Sequence, residues 1–382
     1  MRSMKLTLVT ETYPPEVNGV AMTLKRLVRG LSMRGHDVTV IRPDPGDVVR
    51  EGTSPTDDPE TIVPVRGMPI PCYPEMRFGF PAGGRLRRTW KADRPDLVHV
   101  ATEGPLGRSA ARAARRLGIP LTTSFHTNFH TYAGHYGYGM LGKITLGWLK
   151  KVHRQASLTF VPSDTVREML LDEGFENLEV LGRGVDTELY SPDRRSLDLR
   201  RAWGVENGEP VALYVGRVAT EKNIALTVQA YERMRQSRPD MKFVIVGDGP
   251  LKPKLEKTLP QAHFSGLRLG EDLAAHYASA DFFLFASETE TFGNVVTEAM
   301  ASGLVVLAYD YAAARLHIES GSNGITVPLG NEAAYLAAAR SLVMRPTFWR
   351  SVRANARRTA EALSWSGIVE SYESRVSRVA TA

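Results

Sequence analysis

The sequence has a single cysteine, Cys72, among its 382 residues. One thiol closes no internal disulfide and builds no cysteine-rich zinc site, so the composition suits a reducing compartment. Long apolar runs are equally scarce. Phe282–Ala286 and Leu304–Tyr309 are strand-length and fall far short of the roughly 20 residues that span a bilayer. No export signal is expected, because Lys5–Glu11 reads as one strand that ends in charge and is followed by Pro14 and Pro15. There is no internal repeat, no long low-complexity tract and no Gly-x-Gly-x-x-Gly, which removes solenoids and the nicotinamide fingerprint.

With 43% hydrophobic and 24% charged residues, the chain is an ordinary globular one. Its length corresponds to about two domains. The first half alternates strand-like runs (Leu6–Thr10, Val38–Ile41, Leu97–Val100, Leu121–Phe125, Leu158–Val161) with helix-like segments (Val20–Met33, Leu106–Leu117, Ser163–Glu173). A second series follows at Val211–Val215, Phe243–Val246, Phe282–Phe285, Val305–Ala308 and Ile325–Val327. Near-continuously apolar strands alternating with helices predict parallel sheets covered on both faces, hence two doubly wound α/β domains. The breakers Ser191, Pro192 and Gly204 place a linker at residues 187–208, between domains at 1–186 and 209–364. Ligands bind such sheets beyond the carboxyl ends of their strands, so function is expected in loops that follow strands.

Three such loops carry chemistry. After the first strand, Glu11 to Val20 ends in Asn18-Gly19 before a helix, where glycine permits close approach and free N–H groups favour an anion; the alternative is a plain strand-to-helix turn. After Val211–Val215, Gly216-Arg217 and Glu221-Lys222 set two cations beside a helix start, able to neutralise a diphosphate without a metal, or else to lie solvated with Glu221. After Asp281–Ala286, Glu290-Thr291-Phe292-Gly293-Asn294-Val295 leads into a helix bearing Glu298. Glu290 is placed to accept from sugar hydroxyls, Glu298 to reach a ribose, and the Phe292–Val295 backbone to donate; helix capping is the alternative.

Taken in order, Gly216-Arg217 with Glu221-Lys222, the Gly247-Asp248-Gly249-Pro250 turn, Glu290 and Glu298 with Ala299-Met300-Ala301-Ser302-Gly303, and Arg183-Gly184-Val185-Asp186 resemble the large family four of retaining glycosyltransferases with the GT-B fold. The resemblance covers almost the whole chain. It implies two Rossmann-like domains facing a central cleft, with residues 365–382 as a terminal helix crossing back to the first. It also implies transfer of a hexose from a nucleotide diphosphate sugar, of UDP-glucose, UDP-glucuronate or GDP-mannose type, with no cofactor and no metal. Carried onto this sequence, Gly19 approaches the donor, Arg217 and Lys222 hold the diphosphate, Glu290 the sugar and Glu298 the ribose. His126, after the Leu121–Phe125 strand, stands at the reacting centre. A three-histidine metal site of His126, His130 and His135 is the alternative, without a nearby carboxylate to complete it. The family commonly has a double glycine where this sequence has Asn18-Gly19, a departure resembling the branch that acts on lipid acceptors.

The net charge is only plus six. Between Arg77 and Arg154, however, fourteen Lys or Arg meet three acids, an excess of eleven, so the remainder sums to minus five. Within that stretch, Tyr136–Lys151 mixes cations with apolar and aromatic residues and predicts a helix lying in an anionic membrane surface, with Trp148 at the interface; a core helix with a basic edge is the alternative. Asn18, Tyr132, Lys143, Trp148, Lys150 and Lys151 are the acceptor or membrane candidates. No aromatic-basic module for nucleic acid is present. The expectation is a peripheral enzyme on the inner face of the cytoplasmic membrane, acting on diacylglycerol or a glycolipid. A soluble polysaccharide acceptor, or a non-catalytic sugar-nucleotide sensor, is the alternative.

Overall fold

The structure is a computed structural model and describes residues 3–16, 18–46, 59–70, 73–126 and 140–381. The chain forms two compact units, residues 1–183 with 365–382, and residues 184–364. In the first, strands β1 (Lys5–Val9), β2 (Asp37–Pro43), β3 (Thr61–Val65), β6 (Leu97–Val100), β7 (Leu121–Ser124), β8 (Leu158–Val161) and β9 (Leu178–Val180) form a parallel sheet in the order β3-β2-β1-β6-β7-β8-β9. A separate antiparallel pair joins β4 (Gly67–Ile70) to β5 (Tyr73–Gly79). The second unit holds β10 (Val211–Val215), β11 (Lys242–Val246), β12 (His263–Gly266), β13 (Phe282–Phe285), β14 (Val305–Tyr309) and β15 (Ile325–Val327), parallel in the order β12-β11-β10-β13-β14-β15.

The central strands are buried along their length, as their apolar runs require. The sheet edges are different. β3, β9 and β12 are partly exposed and therefore lack a continuous apolar signal, which is why the sequence pattern does not announce them. The strand order reverses between β1 and β6 in one sheet and between β10 and β13 in the other. At such switch points the connections diverge and leave a crevice beyond the carboxyl ends of the strands. The loops there are Thr10–Asn18 in the first unit, and Gly216–Asn223 and Ala286–Gly293 in the second.

Residues 187–208, expected to be a linker, lie inside the second unit. Their breakers are local caps: Ser191 accepts from Asp193 N in the 3-10 turn Pro192–Arg194, and Ser196 caps the helix Leu197–Ala202. Arg195 and Arg200 then reach the mostly buried Asp281 at 3.0 and 3.1 Å, joined by Arg353 at 3.3 Å. A carboxylate beneath the sheet anchors what looked like a tether. The chain instead passes between units at Arg183/Gly184 and returns at Ser364/Trp365. The helix Trp365–Thr381 packs on the helix Gly19–Met33, where Glu373 receives hydrogen bonds from Arg34 and, at 3.0 Å, His36.

Candidate active site

In the second unit β10 is followed by Gly216, whose φ of +154° and close approach to Gly247 suit residues without a side chain: a Cβ on Gly247 would lie 1.9 Å from the Gly216 carbonyl oxygen. The following turn exposes Arg217, which pairs with Glu221 at 2.9 Å. Lys222 is held more firmly. Its Nζ donates to Glu290 Oε1 at 2.5 Å, the two side chains being 21% and 14% exposed. Ser287 Oγ donates to the same carboxylate oxygen at 2.7 Å, and Tyr311 donates to the Glu290 carbonyl at 2.9 Å. Thr289 further ties the two loops by donating to Glu221 O at 2.8 Å. The cation loop and the acid loop, 68 residues apart, are thus one assembly.

Gly293, at φ +87°, is the N-cap that turns the chain into the helix Asn294–Ala301. The Phe292 ring is core, packed edge-on near His317, so its contribution to a site is its backbone; Asn294 and Val295 open the helix and are half-buried. Glu298, one turn in, accepts from the buried Tyr277 hydroxyl at 3.0 Å. Tyr277 and Tyr311 are residues that sequence reasoning missed. Tyr277 comes from the last turn of the helix Gly270–Ser279 and Tyr311 from the connection between β14 and the helix Ala312–His317, and neither carries a motif of its own. Burial raises both phenols, Tyr311 to about 12 with help from Glu290, so both remain donors at neutral pH.

In the first unit Asn18 is the N-cap of Gly19–Met33. Its Oδ1 accepts from Val20 N and Ala21 N at 3.1 and 2.9 Å, while its Nδ2 donates to Thr12 at 2.7 Å. Gly19 is exposed as the first helical residue. Beside this loop Glu11, another missed residue, accepts from the backbone N–H groups of Gly79, of Leu106 at 2.9 Å and of Gly107 at 3.4 Å. It caps the helix Pro105–Arg116 from across the switch point. Burial pushes its carboxyl up to about 7 despite those donors.

His126 is half-buried on the wall of a pocket that also includes His99, Ser124, Phe160, Arg183 and Trp365. Its Nε2 lies 2.8 Å from Ser124 Oγ and its Nδ1 3.4 Å from Arg183. Burial and the Arg183 charge hold this imidazole well below the ordinary histidine range. Thr122 and Ser124 share one face of the buried strand β7, and His126, two residues beyond its end, meets that face through Ser124.

His130, Tyr132 and His135 lie outside the described residues, as does the side chain of Lys143. Among the described residues no group of three His, Cys, Asp or Glu is placed to hold a metal, and no helix is long and apolar enough to cross a membrane. The helix Met140–His153 departs from the interfacial expectation over its described part. Trp148 donates to Glu103 O at 2.9 Å beneath the Arg108 guanidinium, and with Leu146 it packs on a core of Phe125, Leu149 and Phe175. Only Lys151 is exposed; Lys150 leans over Phe175 toward Glu173. The indole is taken up by the protein because the polar Glu103 carbonyl and the stacked arginine satisfy it internally.

Residues 17–189 match Glycosyltransferase Family 4 and residues 209–345 match Glycosyl transferases group 1. The GDP-mannose-dependent alpha-mannosyltransferase of Mycolicibacterium smegmatis is 35% identical over 95% of this chain and 94% of its own. An alpha-monoglucosyldiacylglycerol synthase of Streptococcus pneumoniae is 28% identical over 80% of this chain and 71% of its own. Among solved structures, Anabaena Alr3699/HepE in complex with UDP superposes with a TM-score of 0.78, covering 98% of this chain and 100% of that one at 19% identity, a likeness of fold. With both sheets, both motif sets and these relatives in agreement, the chain belongs to the family-four glycosyltransferases of GT-B fold.

Proposed function

We propose that this enzyme transfers mannose from GDP-mannose, with retained α configuration and without a metal, to a lipid acceptor such as a diacylglycerol glycolipid at an anionic membrane face. The observation that carries the transfer chemistry is the Lys222–Glu290–Ser287 constellation at the second sheet's switch point. Glu290 fixes one donor direction of the Lys222 ammonium, leaving its other two for a diphosphate, and the Arg217 fork adds a second cation. Charge growing on the departing diphosphate would be met by these cations, and the diphosphate itself would take the acceptor proton. No protein base is then needed. Glu290, held from three sides, would orient the sugar hydroxyls. The mannosyl donor and the lipid acceptor are supported by the names of the relatives above.

The test is GDP release and product stereochemistry with purified protein offered GDP-mannose, UDP-glucose or UDP-glucuronate over diacylglycerol-glycolipid vesicles. GDP-mannose is expected to turn over and give an α-linked lipid product. Arg217→Ala and Glu290→Gln are each expected to lower turnover by about 10²–10³-fold. Unchanged turnover in both variants would sink the mechanism, and an inverted product would sink the stereochemistry.

A further inference from the structure

Behind His126 runs a chain of polar groups that the family assignment does not use. Nε2 of His126 meets Ser124 Oγ at 2.8 Å, Ser124 Oγ meets His99 Nε2 at 3.1 Å, and His99 Nδ1 meets Thr122 Oγ1 at 2.9 Å. His99 is buried, its ring edge-on to Tyr372 at 5.4 Å and tilted against Phe160 at 6.0 Å. Tyr372, from the helix Trp365–Thr381, shares a hydrogen bond with Thr122. At the other end the Arg183 guanidinium faces His126 Nδ1 at 3.4 Å.

The direction of this chain follows from what each group can do. A guanidinium only donates, so Nδ1 of His126 must be the lone-pair nitrogen and Nε2 must carry the proton. That proton points to Ser124, whose own hydroxyl hydrogen is then turned to His99 Nε2. His99 in consequence carries its proton on Nδ1, toward Thr122. We propose that Ser124 and His99 are positioning residues: with Arg183 setting the tautomer, they take up the His126 Nε2 proton and thereby fix its ring at the pocket wall. In this arrangement His126 acts by its placement and takes no proton from an acceptor hydroxyl, since its one lone pair faces a cation. On the opposite face of β7, Thr123, His153 and Glu103 form a second chain that lines no part of this pocket.

This inference rests on the active-site reading of His126, and the experiment separates the two. Full-length protein labelled with 15N-histidine is examined by long-range 1H–15N correlation, with the His126 signals assigned by their loss in His126→Ala. The native protein is expected to show a lone-pair Nδ1 and a protonated Nε2. Ser124→Ala, which removes the partner of the Nε2 proton while Arg183 keeps the tautomer, is expected to move the His126 Nε2–H signal upfield and to lower kcat for GDP release from GDP-mannose about tenfold or more while KM changes little. Ser124→Thr, which keeps the hydroxyl, restores both. His99→Phe, similar in shape, repeats the Ser124→Ala result if the core fails to tolerate the first variant. A proton on Nδ1 in the native protein, or an unmoved His126 Nε2–H signal in Ser124→Ala, overturns the proposal, as does a moved signal with unaltered kcat. Undiminished GDP release in His126→Ala would instead overturn the active-site reading, while the nitrogen shifts still decide the tautomer.

Discussion

Glu290 owes its position in part to residues, Ser287 and Tyr311, that touch no ligand in the proposed reaction. Its carboxylate is shared by Lys222 and Ser287, and its carbonyl is held by Tyr311. Replacing Tyr311 with Phe removes one half-buried hydrogen bond and leaves that carbonyl without this donor, at a cost of about 1–3 kcal/mol locally. The expected result is a severalfold rise in KM for the sugar nucleotide with the fold retained. Because burial and Glu290 keep the Tyr311 phenol up at about 12, the effect should be constant from pH 6 to 9. A titration of KM across that range checks both points. Glu290 and Lys222 were identifiable beforehand because each lies in the loop that follows a buried strand. Tyr311 and Tyr277 were not, because a tyrosine after a strand or in the last turn of a helix looks like any other core residue until its partner is known.

Among the elements, the helix Pro105–Arg116 shows how one buried acid sets a local pH response. Glu11 accepts from the first N–H groups of that helix, which the dipole favours, yet burial raises its carboxyl from the ordinary 4.5 to about 7. A carboxyl with a raised folded value binds its proton more tightly in the folded state. Its linked contribution is therefore full below about 4.5 and is lost as pH rises through 7, up to about 3 kcal/mol in total. Melting curves of native protein and Glu11→Gln, a neutral isostere of the protonated acid, should lie closest near pH 5 and separate toward pH 8, where the native protein alone has lost this contribution; a constant difference would contradict this. The helix pair Gly19–Met33 and Trp365–Thr381 gives a second expectation. A Cβ on Gly30 would stand 2.5 Å from Val369 Cγ2, so Gly30→Ala should lower Tm, overpacking of about 1–3 kcal/mol exceeding the roughly 1 kcal/mol gained in helix propensity.

Across the whole molecule, the excess of eleven cations between Arg77 and Arg154 is carried mainly by two helices, Gly83–Ala92 and Pro105–Arg116, which pack against each other. Arg85, Arg88, Lys91, Arg112, Arg115 and Arg116 are exposed on them. Part of this charge complements helix C-termini, since Lys91, Arg115 and Arg116 lie in last turns. The remainder makes a basic face suited to an anionic membrane, and it replaces the Trp148 helix as the candidate surface. Vesicle flotation should show binding to anionic but not neutral lipid, weakened by salt and by combined Arg88→Gln, Arg112→Gln and Arg115→Gln. Equal flotation of native and triple variant would remove this face from the proposal.

The division between what could be read in the chain and what needed folding follows the range of the interactions. Parallel strands, their helices and the loops after β10 and β13 are recorded locally, in apolar runs of strand length and in glycines where the backbone must turn. Those determine the fold class and place Arg217, Lys222, Glu290 and Glu298 in loops or first helical turns beyond the strands. Buried polar partnerships are not local. Glu11 meets Leu106 across 95 residues and Arg200 meets Asp281 across 81, pairings that no periodicity records. Hence the packed segment 187–208 resembled a linker, and the inward Trp148 resembled a membrane anchor. Desolvation is the reason: a buried charge or indole must find a partner, and only the folded chain shows where that partner stands.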